Sequence, residues 1–101
     1  MEAGLAYAKR TDRNQREIVQ VLRDMGISVF ITSEIGKGFP DICCGYAGKT
    51  FLVEIKNGSK PPSQRLLTTE EKKFHNSWLG HLCILESVND AIRFANILRS
   101  E

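Results

Sequence analysis

The chain has 101 residues, 42% hydrophobic and 26% charged, with a formal net charge of +2. That length holds one core, large enough to fold without disulfide staples, and the composition excludes a wholly disordered chain. No apolar run reaches the ~18 residues that cross a bilayer, and residues 1–10 lack the apolar stretch of a secretory signal, so the expectation is one soluble domain, residues 1–101, in the cytoplasm.

Residues 1–10 carry little pattern and read as an arm. Asn14 then opens a helix as its cap, followed by the apolar stripe Ile18, Val21, Leu22 and Met25. Gly26 stands where a helix end turns left-handed. Residues 27–32 (ISVFIT) are β-branched and apolar, a buried strand, and 34–39 (EIGKGF) are a glycine-bearing connection. Residues 41–46 and 50–56 read as two strands of a hairpin around Ala47-Gly48. The loop 57–63 (NGSKPPS) is irregular. A second helix spans 69–78 and is closed by Gly80; 81–86 is a fourth strand. Ser87 caps a last helix with Val88, Ala91, Ile92, Ala95 and Leu98 on one side.

The order α-β-β-β-α-β-α implies an α/β fold. The helix between the third and fourth strands makes that pair parallel, joined by a right-handed crossover, in a mixed four-stranded sheet. The consistently apolar strands predict helices on both faces.

Cys43, Cys44 and Cys83 are odd in number and lack CxxC spacing, and His75 and His81 have no partner ligand nearby, so no zinc site is expected. The cysteines read as small buried hydrophobes and the histidines as structural or surface groups. Gly36 and Gly38 do not form a phosphate loop, so no nucleotide cofactor is expected. Charge is uneven: residues 56–65 hold three basic side chains and no acid, which suits either an anionic partner or a solvated loop.

Folding the hairpin about Ala47-Gly48 sets Tyr46 opposite Lys49 and, counting outward, Asp41 opposite Glu54. Opposed side chains have Cβ atoms about 4.5–5.5 Å apart, and two carboxylates so placed need a proton or a cation between them. Lys56 shares the face of Glu54, about 6.5–7 Å along the strand, where its ammonium can act on an attacking water. Ile55 points the other way but offers its carbonyl oxygen. Oxygen ligands with open water positions suit Mg²⁺ or Mn²⁺.

Gly38-Phe39-Pro40-Asp41, followed by Glu54-Ile55-Lys56, resembles the PD-(D/E)xK nuclease signature. The element order is similar to that superfamily's restriction-endonuclease-like αβββαβ core. With Glu17 on the first helix and the run from Leu67 to His75 before Trp78, residues 9–98 resemble the stand-alone VRR-NUC domains of phages and bacteria. The resemblance implies a Mg²⁺- or Mn²⁺-dependent DNA endonuclease in a bacterial or phage-infected cell. Asp41, Glu54 and the Ile55 carbonyl would bind metal, Lys56 would act on the water, and Glu17 would face the same centre. It also implies similarity to Holliday-junction resolvases, hence branched DNA as substrate and a homodimer. Many members carry glutamine early in the second helix, where this chain has Glu71.

Each residue also has a plainer reading. Asn14 to Glu17 fits a capping box, and so does Thr68 to Glu71, where that structural reading is preferred. Lys60, Arg65, Lys72 and Lys73 are candidate phosphate contacts, with Ser63 and Gln64 as hydrogen-bonding partners, or else ordinary solvated surface. Phe74 and Trp78 at helical spacing read as core. The rival functions are a catalytically silent DNA-binding module of the same fold and a protein-interaction domain without a nucleic-acid role.

Overall fold

The structure is a computed structural model that describes the backbone of residues 2–101 and the side chains from residue 13 onward. Its elements are α1 (Glu2–Asp24), β1 (Ser28–Ile31), β2 (Ile42–Tyr46), β3 (Lys49–Ile55), a 3₁₀ turn (Pro62–Gln64), α2 (Thr69–Ser77), β4 (His81–Leu85) and α3 (Val88–Arg99). The α/β order read from the sequence is the order observed. At its N-terminal end the reading needs correction, because α1 runs back to Glu2 through the expected arm. Asn14 and Glu17 are therefore interior to the helix and form no capping box. Freed from capping, the Asn14 side chain donates to the Lys56 carbonyl at 3.0 Å and ties α1 to the end of β3.

Gly26 ends α1 at φ +89°. Its amide donates to the Arg23 carbonyl and the Ile27 amide to the Leu22 carbonyl, each at 3.0 Å. That pair of bonds is the Schellman closure, and it swings Ile27 back under the helix, where it is buried against the same core as Leu22. The chain then enters β1 already turned toward the sheet.

The four strands lie in the order β1-β2-β3-β4, antiparallel except for the parallel pair β3–β4. Ala47 and Gly48 both have positive φ, as the two-residue turn that matches strand twist requires. This turn locks Tyr46 against Lys49 and Ile42 against Val53, the register expected from the sequence. One face of the sheet, with Ile42, Cys44, Val53 and Leu85, packs on Ile18, Val19 and Leu22 of α1 and Ala91, Ala95 and Leu98 of α3. Small alanines let α3 lie close to α1 and to the strands.

The opposite face is less covered than the apolar strands predict. It carries Phe30, Cys43, Leu52, Glu54 and Ile84, and Phe30 remains 73% exposed. α2 reaches this face through the Glu71–Lys56 pair and contributes no fully buried residue of its own, although Leu52 and Glu54 on the face are buried. Phe74 and Trp78, read as core, stack on each other outside the buried core, Phe74 half-buried and Trp78 41% exposed. Of the cysteines only Cys44 is fully buried; all three are free, and burial pushes the Cys44 thiol up to about 12. His81 stacks on Phe51 at 4.6 Å, a structural role.

The connection from β1 to β2 delivers Asp41 to the sheet. Thr32 cinches its base: its hydroxyl donates to the Pro40 carbonyl and its amide to the Asp41 carbonyl, each at 2.8 Å. Gly36, Lys37 and Gly38 all have positive φ, so the loop turns sharply and lays Gly38 on the first turn of α2. A Cβ at Gly38 would collide with the Glu70 backbone, whereas one at Gly36 meets nothing. Gly36→Ala is therefore expected to cost only backbone strain, about 1–2 kcal/mol, and Gly38→Ala distinctly more, read as urea midpoints on the two variants.

Candidate metal centre

Asp41 precedes β2 by one residue, and its amide donates to the Val53 carbonyl at 3.1 Å. Its Oδ2 accepts the Ile55 amide at 2.8 Å. The carboxylate is thus fixed across the end of β3 by a charge-assisted bond. Glu54, between Val53 and Ile55, turns toward the less covered face and is 2% exposed. The two carboxyl groups face the same side of the hairpin, as its register anticipates, and the charge of Asp41 acts on Glu54.

Burial is the main reason the Glu54 carboxyl is pushed up to about 9; the charge of Asp41, the hydrogen bond to it and the charge of Glu71 act the same way, and Lys56 opposes them. At neutral pH the Glu54 carboxyl therefore keeps its proton. Lys56, two residues on, sits on the same face with its ammonium 3.8 Å from Glu54 Oε2 and 2.8 Å from Glu71 Oε1.

Glu71 has a double role. With Thr68 it completes a capping box: Thr68 Oγ1 accepts the Glu71 amide at 3.2 Å, and Glu71 Oε1 accepts the Thr68 amide at 2.9 Å. That oxygen also accepts from Lys56. Partial burial opposes the Glu71 charge, but the hydrogen bonds from Lys56 and Thr68 outweigh it and hold the carboxyl below its usual range. The structural reading of Glu71 stands, and the link to Lys56 adds a part that capping alone does not require.

Glu54 Oε1 is buried without a hydrogen-bond partner. A buried carboxylate oxygen left unpaired is costly, and a hard cation between Glu54 and Asp41 would satisfy it. Among the described residues no group of three or more histidine, cysteine, aspartate and glutamate side chains is arranged to hold a metal ion. The donors on hand are two carboxylates and backbone oxygen, a set that fits an ion keeping much of its water, such as Mg²⁺ or Mn²⁺.

Glu17 is not brought into this cluster. It is 56% exposed, lies 3.7 Å from Arg13, and lines a separate depression of about 540 Å³ with Asn57, Ser59 and Ser87, to which neither Asp41 nor Glu54 contributes. Arg65 is also occupied: it donates to the Lys60 carbonyl at 2.7 Å and to Glu86 Oε1 at 3.0 Å, pinning the loop to the end of β4. Lys60, Ser63, Gln64, Lys72 and Lys73 are exposed. The sequence pattern did not single out the tie from Asn14 to Lys56, which needs α1 already docked.

Comparison of the chain with protein-family models, with curated proteins and with solved structures finds no match in any of the three.

Two outcomes follow from this geometry. Glu54 binds its proton more tightly when folded than when unfolded, so its contribution to stability is complete below its ordinary value of 4.5 and is lost as pH rises to about 9. Metal-free protein should lose stability across that window in urea melts at stepped pH, and Glu54→Gln should flatten the slope. Glu71→Gln keeps an acceptor for both Thr68 and Lys56, whereas Glu71→Ala removes cap and tether; the alanine variant should be less stable than the glutamine variant by about 1 kcal/mol in paired denaturation curves.

Proposed function

We propose that this chain is a divalent-metal-dependent DNA endonuclease with a restriction-endonuclease-like core of the VRR-NUC kind. The observation that carries the reading is the Asp41–Glu54 pair on one face of the hairpin, with a buried, unpartnered Glu54 oxygen and an ammonium 3.8 Å away. Two carboxyl groups and an anion-binding ammonium at one strand end suit phosphodiester hydrolysis better than they suit a purely structural cluster, since an apolar replacement would stabilise a fold more cheaply.

Asp41 and Glu54 would hold Mg²⁺ or Mn²⁺, with the Ile55 carbonyl as a further oxygen donor. The chemistry the cation supplies when bound is charge neutralisation at the phosphate and acidification of a water. Asp41 is aimed by the Ile55 amide. Lys56 orients the attacking water or a phosphate oxygen from the side of Glu54, and Glu71 holds its ammonium in place. Lys60, Lys72 and Lys73, with Ser63 and Gln64, offer exposed contacts to the DNA backbone. Arg65 serves the loop that carries them. The substrate in this reading is branched duplex DNA, and a homodimer would present two such sites to it.

A catalytically silent DNA-binding module is the second reading, favoured by the tight engagement of Lys56 with Glu71 at 2.8 Å. A panel of branched and linear DNAs separates the two. Cutting is expected with Mg²⁺ and Mn²⁺ and little with Ca²⁺, with losses of at least about a hundredfold in Asp41→Asn and Lys56→Ala while circular dichroism stays unchanged. Junction binding without any cutting would select the silent module, and unchanged cutting by Asp41→Asn would reject the proposed mechanism.

A further inference from the structure

Phe74 on α2 and Trp78, the residue that caps the C-terminal end of α2, stand four positions apart outside the buried core, Phe74 half-buried and Trp78 exposed. They form a ladder with Phe39 of the Asp41 loop. Phe39 meets Phe74 edge-on at 5.2 Å, and Trp78 stacks on Phe74 at 5.2 Å with the rings 18° from parallel. Gly80 passes so close to the indole edge that a Cβ there would press on Trp78 Nε1. The indole is thus held by a ring on one side and by backbone at its edge, and it still leaves 41% of the residue exposed. Leu79, next in the chain, is 99% exposed.

We propose that the Phe39–Phe74–Trp78 ladder, with Leu79 projecting beside it, is a stacking ledge for an unpaired base of DNA entering the Asp41–Glu54–Lys56 centre. This inference rests on the nucleic-acid reading above and specifies the substrate within it. Phe39 and Phe74 both lie on short tethers to the centre. Phe39 is two residues from Asp41, and Phe74 is three residues from Glu71, whose carboxylate holds Lys56.

The charges around the ledge favour nucleic acid over an apolar protein partner. Lys37 lies in the loop that carries Phe39, and Lys72 and Lys73 immediately precede Phe74 on α2. All three are exposed, and among the described residues none makes an ion pair. The nearby acids do not fully cancel them: Glu71 is taken up by Lys56 and Thr68, which leaves Glu70 of α2 and Glu34 of the loop facing solvent against three lysines. Rigid aromatic faces flanked by cations are how single strands are held without sequence preference. An exposed apolar side chain beside such a face can enter a base step. A continuous duplex hides its base faces, so the ledge selects DNA with an unpaired nucleotide beside the scissile phosphate, as in a flap, fork or branch.

Trp78 is the only tryptophan, so its fluorescence reports the ledge directly. The full chain in Ca²⁺ is titrated with a flap DNA and with a blunt duplex of the same sequence. The flap should quench Trp78 and bind about tenfold more tightly than the duplex. Trp78→Ala should reduce flap binding to the duplex level, and Trp78→Phe should keep part of the preference. Leu79→Ser, at a fully exposed position that cannot disturb folding, should weaken flap binding severalfold. Equal affinity for flap and duplex, a preference untouched by Leu79→Ser and Trp78→Ala, or quenching that tracks protein concentration without DNA would overturn the ledge; the last would assign the surface to a second copy of the chain. Flap-specific quenching in a protein that cuts nothing would keep the ledge and remove the nuclease. Cutting indifferent to Trp78 would do the reverse.

Discussion

The arrangement of this protein turns on one unfavourable contact: two carboxyl groups held together at the end of a hairpin, one of them almost wholly out of water. Isolated, the burial of Glu54 as an anion is prohibitive, so the group keeps its proton and leans on Asp41. The fold tolerates the strain because the rest of the sheet is conventional. An apolar face sealed by α1 and α3 supplies the stability, and the polar cluster is confined to the less covered face at one strand end. A buried oxygen without a partner is what a cation would relieve, and this is the ground on which the cluster is proposed as a metal site.

Around that contact the molecule builds a set of ties whose purpose is position. Thr32 closes the loop that presents Asp41, and Gly38 sets that loop on α2. α2 in turn is capped by Glu71, the residue that restrains Lys56. The Glu71 carboxylate therefore joins α2 to the end of β3, and a shift of α2 would be felt at the ammonium. On the other side of β3, Asn14 holds the Lys56 carbonyl. The lysine is gripped at both ends, by its backbone from α1 and by its side chain from α2.

Much of this was legible in the chain. The hairpin register followed from Ala47-Gly48 alone, because a two-residue turn with positive φ leaves one alignment, and the face shared by Glu54 and Lys56 followed from strand alternation. The Thr68–Glu71 cap was readable from its spacing. What escaped was set by tertiary docking. Asn14 resembled a cap because its side chain suits one, yet the preceding residues continue the helix and the amide reaches β3 instead. Glu17 borders the apolar stripe of α1, and only the docked helix shows it turned toward Arg13 and solvent. Phe74 and Trp78 keep core spacing, but they stack on each other and on Phe39 rather than entering the buried core, leaving Phe74 half-buried and Trp78 exposed. Arg65 looked like a free cation until Glu86, 21 residues away, came within 3.0 Å.

The most direct test is to count Mn²⁺ bound by the DNA-free protein near neutral pH, using the paramagnetic relaxation of water protons, in the native chain and in Asp41→Asn and Glu54→Gln. Saturable binding in the native chain that disappears in both variants, each still folded, is what two carboxyl groups sharing an ion require. Binding that survives both substitutions, or no binding to the native chain at all, would contradict the account.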